Sequence, residues 1–357
     1  MKRQMTIAAA VMAVVGFAVG FWLRPGAGAV TPDSPVSGDE ELGQMAVGHV
    51  PSVGVHALSI AAVTPEGQRT ATVGAPLDGT FEIGSITKGV TGLLYADMVE
   101  RGEVRPETRL GDLLDLGDAD AADITLEELS QQRSGLPRLG GGLGFFARTA
   151  LDTLLARNPY AETPDEVVDQ VRAAKVGDKE PVYSNLGYAV LGHALASAAG
   201  TTYPELVAER IAEPLGLSSF TVPLSPDQLA DDAVQGRDRA GRAQQAWADE
   251  GFAPAGGIRA SAADMATLAQ GLLDQTAPGV AALDPQADFG DGLQIGAAWF
   301  TEKVGGRTVT WHNGGTGGFR SWFGMDREHG VAVYLAGATT VDLDEIGFAL
   351  LRDVARS

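Results

Sequence analysis

Residues 81–90 read FEIGSITKGV, and within them Ser85 and Lys88 stand three apart. Downstream, Ile86, Val90, Leu93, Leu94 and Met98 recur at helical spacing as far as Gly102, a stop signal, so the stretch predicts a helix with Ser85 in its first turn. Residues at that spacing share a helix face, which brings the Lys88 amine to the Ser85 hydroxyl. A serine hydroxyl attacks a carbonyl usefully only when a neighbour takes its proton, and a lysine whose pKa is lowered by desolvation can be that neighbour. The helix N-terminus adds N–H groups where a developing oxyanion can be held. The plainer alternative is a capped helix carrying a surface lysine, and S-x-x-K alone does not separate the two.

The totals narrow the chemistry. With 357 residues, 45% of them hydrophobic, the chain can bury a core in one large domain or two smaller ones. A formal charge of -20 leaves no basic face to neutralise phosphates, which argues against a nucleic-acid partner. There is no cysteine, so thiolate nucleophiles, disulfides and cysteine metal sites are excluded. No H-E-x-x-H or comparable spacing occurs, and neither a metal nor a cofactor is expected.

Lys2 and Arg3 precede an uncharged apolar run from Met5 to Leu23, so residues 1–24 read as a signal peptide or an N-terminal membrane anchor. Ala27-Gly28-Ala29 fits a cleavage site, and the length of the run fits an anchor. Either way the expected location is extracytoplasmic, secreted or held on the outer face of the membrane. Residues 25–48 are rich in Gly, Pro, Ser and acids and read as a flexible linker. The folded domain is then 49–357. It opens with two apolar runs separated by Pro65-Glu66-Gly67, a hairpin signal.

Helices follow: Thr125-x-x-Glu128 and Thr163-Pro164-Asp165-Glu166 are capping-box patterns, and further helices are expected at 186–199, 203–212, 262–273 and 343–354. Strands return in IGAAWF, RTVTWHN, FRSWFGM and VAVYLAG. Strands at both ends and helices between them predict an α+β fold: an antiparallel sheet drawn from both ends and flanked by helices, with an all-helical lobe over about 105–260. The junction of the lobes is the natural place for a cleft.

Two more stretches bear on Ser85. Tyr183-Ser184-Asn185 falls where a helix begins, and by itself reads as a cap. His312-Asn313-Gly314-Gly315 follows the strand candidate RTVTW, and by itself reads as an Asn-Gly hairpin turn. Taken in order, the three stretches resemble the three-motif pattern of serine β-lactamases and penicillin-binding proteins. Tyrosine in the second motif is similar to the class C type, a family that also holds D,D-carboxypeptidases, D-aminopeptidases and esterases. The segments ITLEELSQQRSGLP, EPLGLSSF, PAGGIRASAADMA and WHNGGTGGFRSWFG extend the resemblance, in the family's order, from about Val53 to the C-terminus.

The resemblance implies a β-lactamase/transpeptidase-like fold with the active site between the lobes. It makes Ser85 the acylated nucleophile, Lys88 its base, and Tyr183 a proton carrier whose phenolate Lys88 favours. It assigns the oxyanion hole to the backbone N–H groups of Ser85 and Gly315, and substrate binding to Asn185, Asn313 and Gly314, with Asn185 also orienting Lys88 and Gly314 letting substrate lie close to the strand. His312 takes the third catalytic position, where β-lactamases of this type usually carry lysine. A histidine with an ordinary pKa near 6.5 is largely neutral at pH 7 and anchors a carboxylate poorly, and its titration predicts activity changing between about pH 5.5 and 7.5. Asn313 is a second departure from the pattern.

Two variable stretches are candidates for shaping specificity. Residues 138–160 include the pair Phe145-Phe146, and residues 235–252 carry three arginines, read mainly as a solvated loop. His193, on an apolar helix, reads as a core histidine with a backbone partner. The expected activity is that of an exported serine hydrolase working through an acyl-enzyme on amide or ester bonds of a small-molecule or peptide substrate. The alternatives are a β-lactamase proper and a non-catalytic protein of the same fold that binds cell-wall peptide.

Overall fold

The structure is a computed structural model that describes residues 28–356. The segment 1–24, read as a signal or anchor, lies outside the described residues. Among the described residues no helix is long and apolar enough to cross a membrane.

A nine-stranded antiparallel sheet carries the first lobe. Its strands are β1 (Val36–Gly38), β2 (Val55–Thr64), β3 (Gly67–Val73), β6 (Ala287–Gly290), β7 (Leu293–Ile295), β8 (Phe300–Val304), β9 (Arg307–Gly315), β10 (Phe319–Asp326) and β11 (Val331–Thr339), while β4 (Phe81–Glu82) and β5 (Arg259–Ala260) form a separate two-stranded ladder. The spatial order β1-β3-β2-β11-β10-β9-β8-β7-β6 joins the two ends of the domain at the β2/β11 seam, where Ile60 stands opposite Leu335. The sheet is therefore built from both ends, as the strand candidates predict.

β11 shows why the sheet is central. Val331, Val333 and Leu335 enter one apolar cluster, under the helices Glu40–His49 and Asp344–Val354, while Ala332, Tyr334, Ala336 and Ala338 enter the other. A strand covered on both faces reads as a continuous apolar run rather than an alternating one. Fully burying one such Val or Leu contributes roughly 1.5–3 kcal/mol, so this strand anchors both layers. On the second face lie the helix Ala262–Leu273 and, beyond it, the helical lobe.

Several local expectations hold in detail. The β2/β3 hairpin closes with Thr64 opposite Gly67. Both capping boxes form: Thr125 Oγ1 accepts from Glu128 N–H at 3.2 Å and Thr163 Oγ1 from Glu166 N–H at 3.3 Å. The helix Asn185–Ala199 ends on Gly200 in the left-handed region, at φ 70°.

The linker reading of 25–48 does not hold over its described part. Val36–Gly38 pairs with β3, and Glu40–His49 is a helix that buries Leu42, Ala46 and Val47 against the sheet. The signal was present: Asp39 caps that helix, its carboxylate accepting from Leu42 N–H at 2.8 Å, and acids fill the first turn. Weighing the Pro and Gly of 25–38 across the whole segment hid it. The Asn313-Gly314 step is not a turn either. The strand runs on through Gly315, with His312 opposite Phe323 and Asn313 opposite Trp322, and the chain reverses only at Thr316–Gly318.

Candidate active site

Ser85 sits at the boundary of the helix Ile86–Glu100, with φ −67° and ψ −5°. That helix is buried on all sides from Ile86 to Met98, threaded between the sheet strands β9 and β10 and the helix Asn185–Ala199. Lys88 is therefore no surface lysine: its exposure is 0%. Its ammonium has two partners, donating to the Ala255 carbonyl at 2.6 Å and to Ser85 Oγ at 3.0 Å. Desolvation, with the charge of Arg138 adding to it, holds the Lys88 pKa well below its ordinary 10.5. As a free amine it keeps the Ala255 bond, and the bond to serine reverses, the hydroxyl donating to the nitrogen lone pair.

Tyr183 and Asn185 flank the cap of the Asn185–Ala199 helix. Ser184 is the cap itself: its Oγ accepts from Gly187 N–H at 2.9 Å and donates to Pro137 O at 2.7 Å. This fixes the residues on either side. The Tyr183 ring centroid lies 5.0 Å from Lys88 Nζ, and its hydroxyl hydrogen-bonds Ser85. Burial pushes the phenol up to about 12, so it remains protonated and is not the phenolate that the resemblance implies. Asn185 faces the same space, but its Oδ1 has no hydrogen-bond partner, so it does not orient Lys88.

His312 is wholly buried, its ring 6.2 Å from that of Tyr183 and 5.5 Å from that of Phe300. Nδ1 contacts the Asn313 carbonyl at 2.6 Å, which assigns the proton to Nδ1 and leaves Nε2 an acceptor without a partner. Burial, with the Lys88 charge adding to it, pushes its pKa down to about 3. The expected change in activity between pH 5.5 and 7.5 therefore cannot come from His312, which stays neutral throughout. Asn313 points elsewhere and donates to Asp344 at 2.6 Å, whose carboxyl burial pushes up to about 6.

The glycines have a packing reason. A Cβ on Gly314 would lie 2.1 Å from the Ile83 carbonyl and 2.3 Å from Ser321 Oγ, so its bareness lets β9 close onto the segment before Ser85. Gly84 has φ +54°, and a Cβ there would lie 2.6 Å from Gly315 N. The peptides that precede Ser85 and Gly315 are thus pressed together, the arrangement an oxyanion hole needs. Gly84→Ala is expected to cost about 1–3 kcal/mol in urea unfolding, through both the positive φ and the contact.

Below Ser85, Glu82 and Arg259 form a buried ion pair at 3.0 Å, and the same Glu82 oxygen accepts from Trp247 N–H at 3.0 Å. Arg259 also donates to the carbonyls of Thr80 and Val234. The pair ties the Trp247 loop to the strand that leads into Ser85.

Ser85 opens onto a cleft with two arms. The larger, a cavity of about 560 Å³, is bordered by Tyr183, Phe300, Asn313, Arg320, Asp342 and Asp344. The smaller, about 130 Å³, is bordered by Tyr160, Asn185, Trp247, Asp249, Phe252 and Ala255. Arg138 borders both arms, its guanidinium carbon 5.2 Å from the Tyr183 ring centroid. Of residues 138–160, Arg138 and Tyr160 border the cleft. The side chain of Phe146 lies outside the described residues. From 235–252 it is Trp247, Asp249 and Phe252 that reach the cleft, not the arginines, of which Arg242 pairs with Asp238.

Arg138, Tyr160, Trp247, Asp249 and Arg320 were not singled out by their own spacing in the sequence. Arg138 follows the Ser134-Gly135-Leu136-Pro137 turn directly, the one local signal that points to the cleft. His193 is half-buried and bonds the Gly251 carbonyl at 2.8 Å, the backbone partner expected of it. Among the described residues no group of three or more His, Asp or Glu is placed to hold a metal.

A profile of the β-lactamase family matches residues 45–355. Among curated proteins, the D-alanyl-D-alanine-carboxypeptidase/endopeptidase AmpH of Escherichia coli is 31% identical over 157 residues, 43% of this chain and 39% of the relative. The D-aminopeptidase of Cereibacter sphaeroides is 28% identical over 267 residues, 64% of this chain and 49% of the relative. Each match takes in less than half of the relative's own length. Among solved structures, a D-stereospecific amidohydrolase from Streptomyces superposes with a TM-score of 0.72 at 19% identity, covering 89% of this chain and 98% of that one. At that identity the likeness establishes the fold.

Proposed function

The chain belongs to the β-lactamase family, and on that premise we propose that it is an exported serine hydrolase that cleaves amide or ester bonds through an acyl-enzyme. The observation that carries this is the buried, proton-poor Lys88 amine at 3.0 Å from Ser85 Oγ. Ser85 Oγ adds to the scissile carbonyl while its proton passes to Lys88 Nζ. The N–H groups of Ser85 and Gly315 hold the oxyanion. Collapse breaks the bond to the leaving amine or alkoxide, which takes a proton delivered by way of the Tyr183 hydroxyl, bonded to Ser85 and kept neutral. Water then repeats the sequence on the ester, releasing the acid and restoring the serine.

Neutral His312, buried behind the cleft, offers no charge to a substrate carboxylate, unlike a lysine in its place. Any carboxylate brought to the larger arm meets Asp342 and Asp344 as well as Arg320. This favours amides and esters whose leaving groups lack a carboxylate over β-lactams. The basic-then-apolar segment of residues 1–24 supports export to the outer face of the membrane, cleaved or anchored.

The test is covalent. Incubation with a fluorophosphonate is expected to add one adduct mass per chain, mapping to Ser85 in the peptide digest. A folded protein that stays unlabelled overturns the reading.

A further inference from the structure

The small arm of the cleft has a composition of its own. Asp249 is 7% exposed and makes no ion pair among the described residues. Its carboxylate accepts from Phe252 N–H at 2.8 Å and from Asn158 Nδ2 at 3.5 Å, which leaves lone pairs unused. The other charges that act on it are those of Glu162 and Glu250, both negative, and Glu162 is itself paired with Arg148. Three aromatic rings stand around this carboxylate: Tyr160 packs edge-on to Trp247 at 5.0 Å and tilted to Phe252 at 4.6 Å. Beside Tyr160, whose phenol bonds its side chain, Asn185 keeps a buried Oδ1 that takes no hydrogen bond.

A buried unpaired carboxylate, aromatic faces and a vacant amide acceptor together make a place for a cation that carries N–H donors. Arg138, the cation that borders this arm, stands over Tyr183 on the Ser85 side; the Tyr160 phenol feels it and Asp249 with opposite sign. At about 130 Å³ this arm is the smaller of the two and has room for an ammonium. Because the same arm borders Ser85, an ammonium held there sits on the acyl side close to the carbonyl under attack.

We propose that the small arm is an ammonium pocket in which Asp249 selects acyl donors bearing a free α-amine, so that the preferred substrates are α-aminoacyl amides and esters. This rests on the serine hydrolase reading and deepens it. The Asp249 carboxylate and the aromatic walls hold the ammonium, and Asn185 Oδ1 accepts one of its N–H groups. An N-acylated donor places a neutral amide against the carboxylate. Burial pushes the Asp249 carboxyl up to about 6, so the pocket loses its charge, and its preference, as pH falls through 6.

The experiment compares free-amine with N-acetylated alanine p-nitroanilide, each as the D and the L form, on the full chain, with fluorophosphonate labelling of Ser85 run in parallel. The free-amine donor of the accepted hand is expected to show a kcat/KM at least tenfold higher at pH 7, where its amine is charged and Asp249 is mostly ionised. The ratio is expected to shrink at pH 5, while the labelling rate corrected for the ionisation of Lys88 shows no such inflection. In Asp249→Asn the ratio is expected to collapse towards one through KM, with labelling kept. The comparison in the unmodified protein needs no variant to fold. Equal turnover of both donors, an unchanged ratio in a labelled Asp249→Asn variant, or normal labelling with no turnover of either amine-bearing anilide overturns the pocket and leaves the hydrolase reading standing. Failure of Ser85 to label in the folded protein removes both.

Discussion

Replacing Ser85 by alanine is expected to abolish covalent labelling and to lower kcat/KM by about 10⁶-fold, the scale seen when a nucleophile that acts as a unit with its base is removed. The residual rate reports binding and the oxyanion donors alone. The same substitution is expected to leave the midpoint of thermal unfolding nearly unchanged, because Ser85 is half-buried and its helix takes no side-chain cap bond from it. Measuring both on one preparation separates chemistry from folding. A variant that keeps even a hundredth of the wild-type rate puts the nucleophile elsewhere.

Lys88→Met is the sharper test, because it opposes function to stability. Loss of the base is expected to cost a comparable factor in kcat/KM, with substrate still bound. Stability is expected to respond to pH. The folded pKa of Lys88 is lowered, so between that value and 10.5 the unfolded chain carries a proton at this residue that the folded chain does not. Wild-type stability therefore rises with pH across the window, and the strain is greatest at its acid end. Methionine does not titrate. Plotted as the difference between variant and wild type in urea unfolding, the variant gains steadily as pH falls from 10.5 towards the lowered pKa, and the difference is flat above 10.5. The same pKa sets the acid limb of activity: kcat/KM rises with pH as Lys88 loses its proton. A difference curve with no slope in this window means that Lys88 is charged in the fold and cannot serve as the base.

The site was legible where one residue type has few uses at a given spacing. Ser85 and Lys88 lie one helical turn apart and local pattern alone raised them, whereas Tyr183, Asn185 and His312 read locally as a cap and a turn and were reached through the family resemblance. What the sequence withheld is burial, and burial sets protonation. Nothing in TWHNGG says that the His312 ring is enclosed between Phe300 and Tyr183, which moves it from a titrating histidine to a permanently neutral one. The same holds for Tyr183, whose phenolate was inferred from a nearby amine and is disfavoured by desolvation. The small arm is built from Tyr160, Asn185, Asp249 and Phe252, which no local spacing unites. The fold was legible at β2 and β11 because a strand covered on both faces advertises itself as an apolar run. It was misread at 25–48, where a short strand and a capped helix hid among prolines and glycines.

The carboxylate of Glu82 meets both a guanidinium and the peptide of Trp247 in a dry interior. A loop moored in this way can exchange the indole for another ring or chain, but its main chain cannot retreat without breaking a hydrogen bond to a buried carboxylate. Diversification of this scaffold towards bulkier acyl groups is thus steered to swaps at single positions, Trp247 and Tyr160 first. Lengthening the loop by inserted residues pulls on the ground beneath the reacting hydroxyl, and libraries built that way will lose turnover before they gain room.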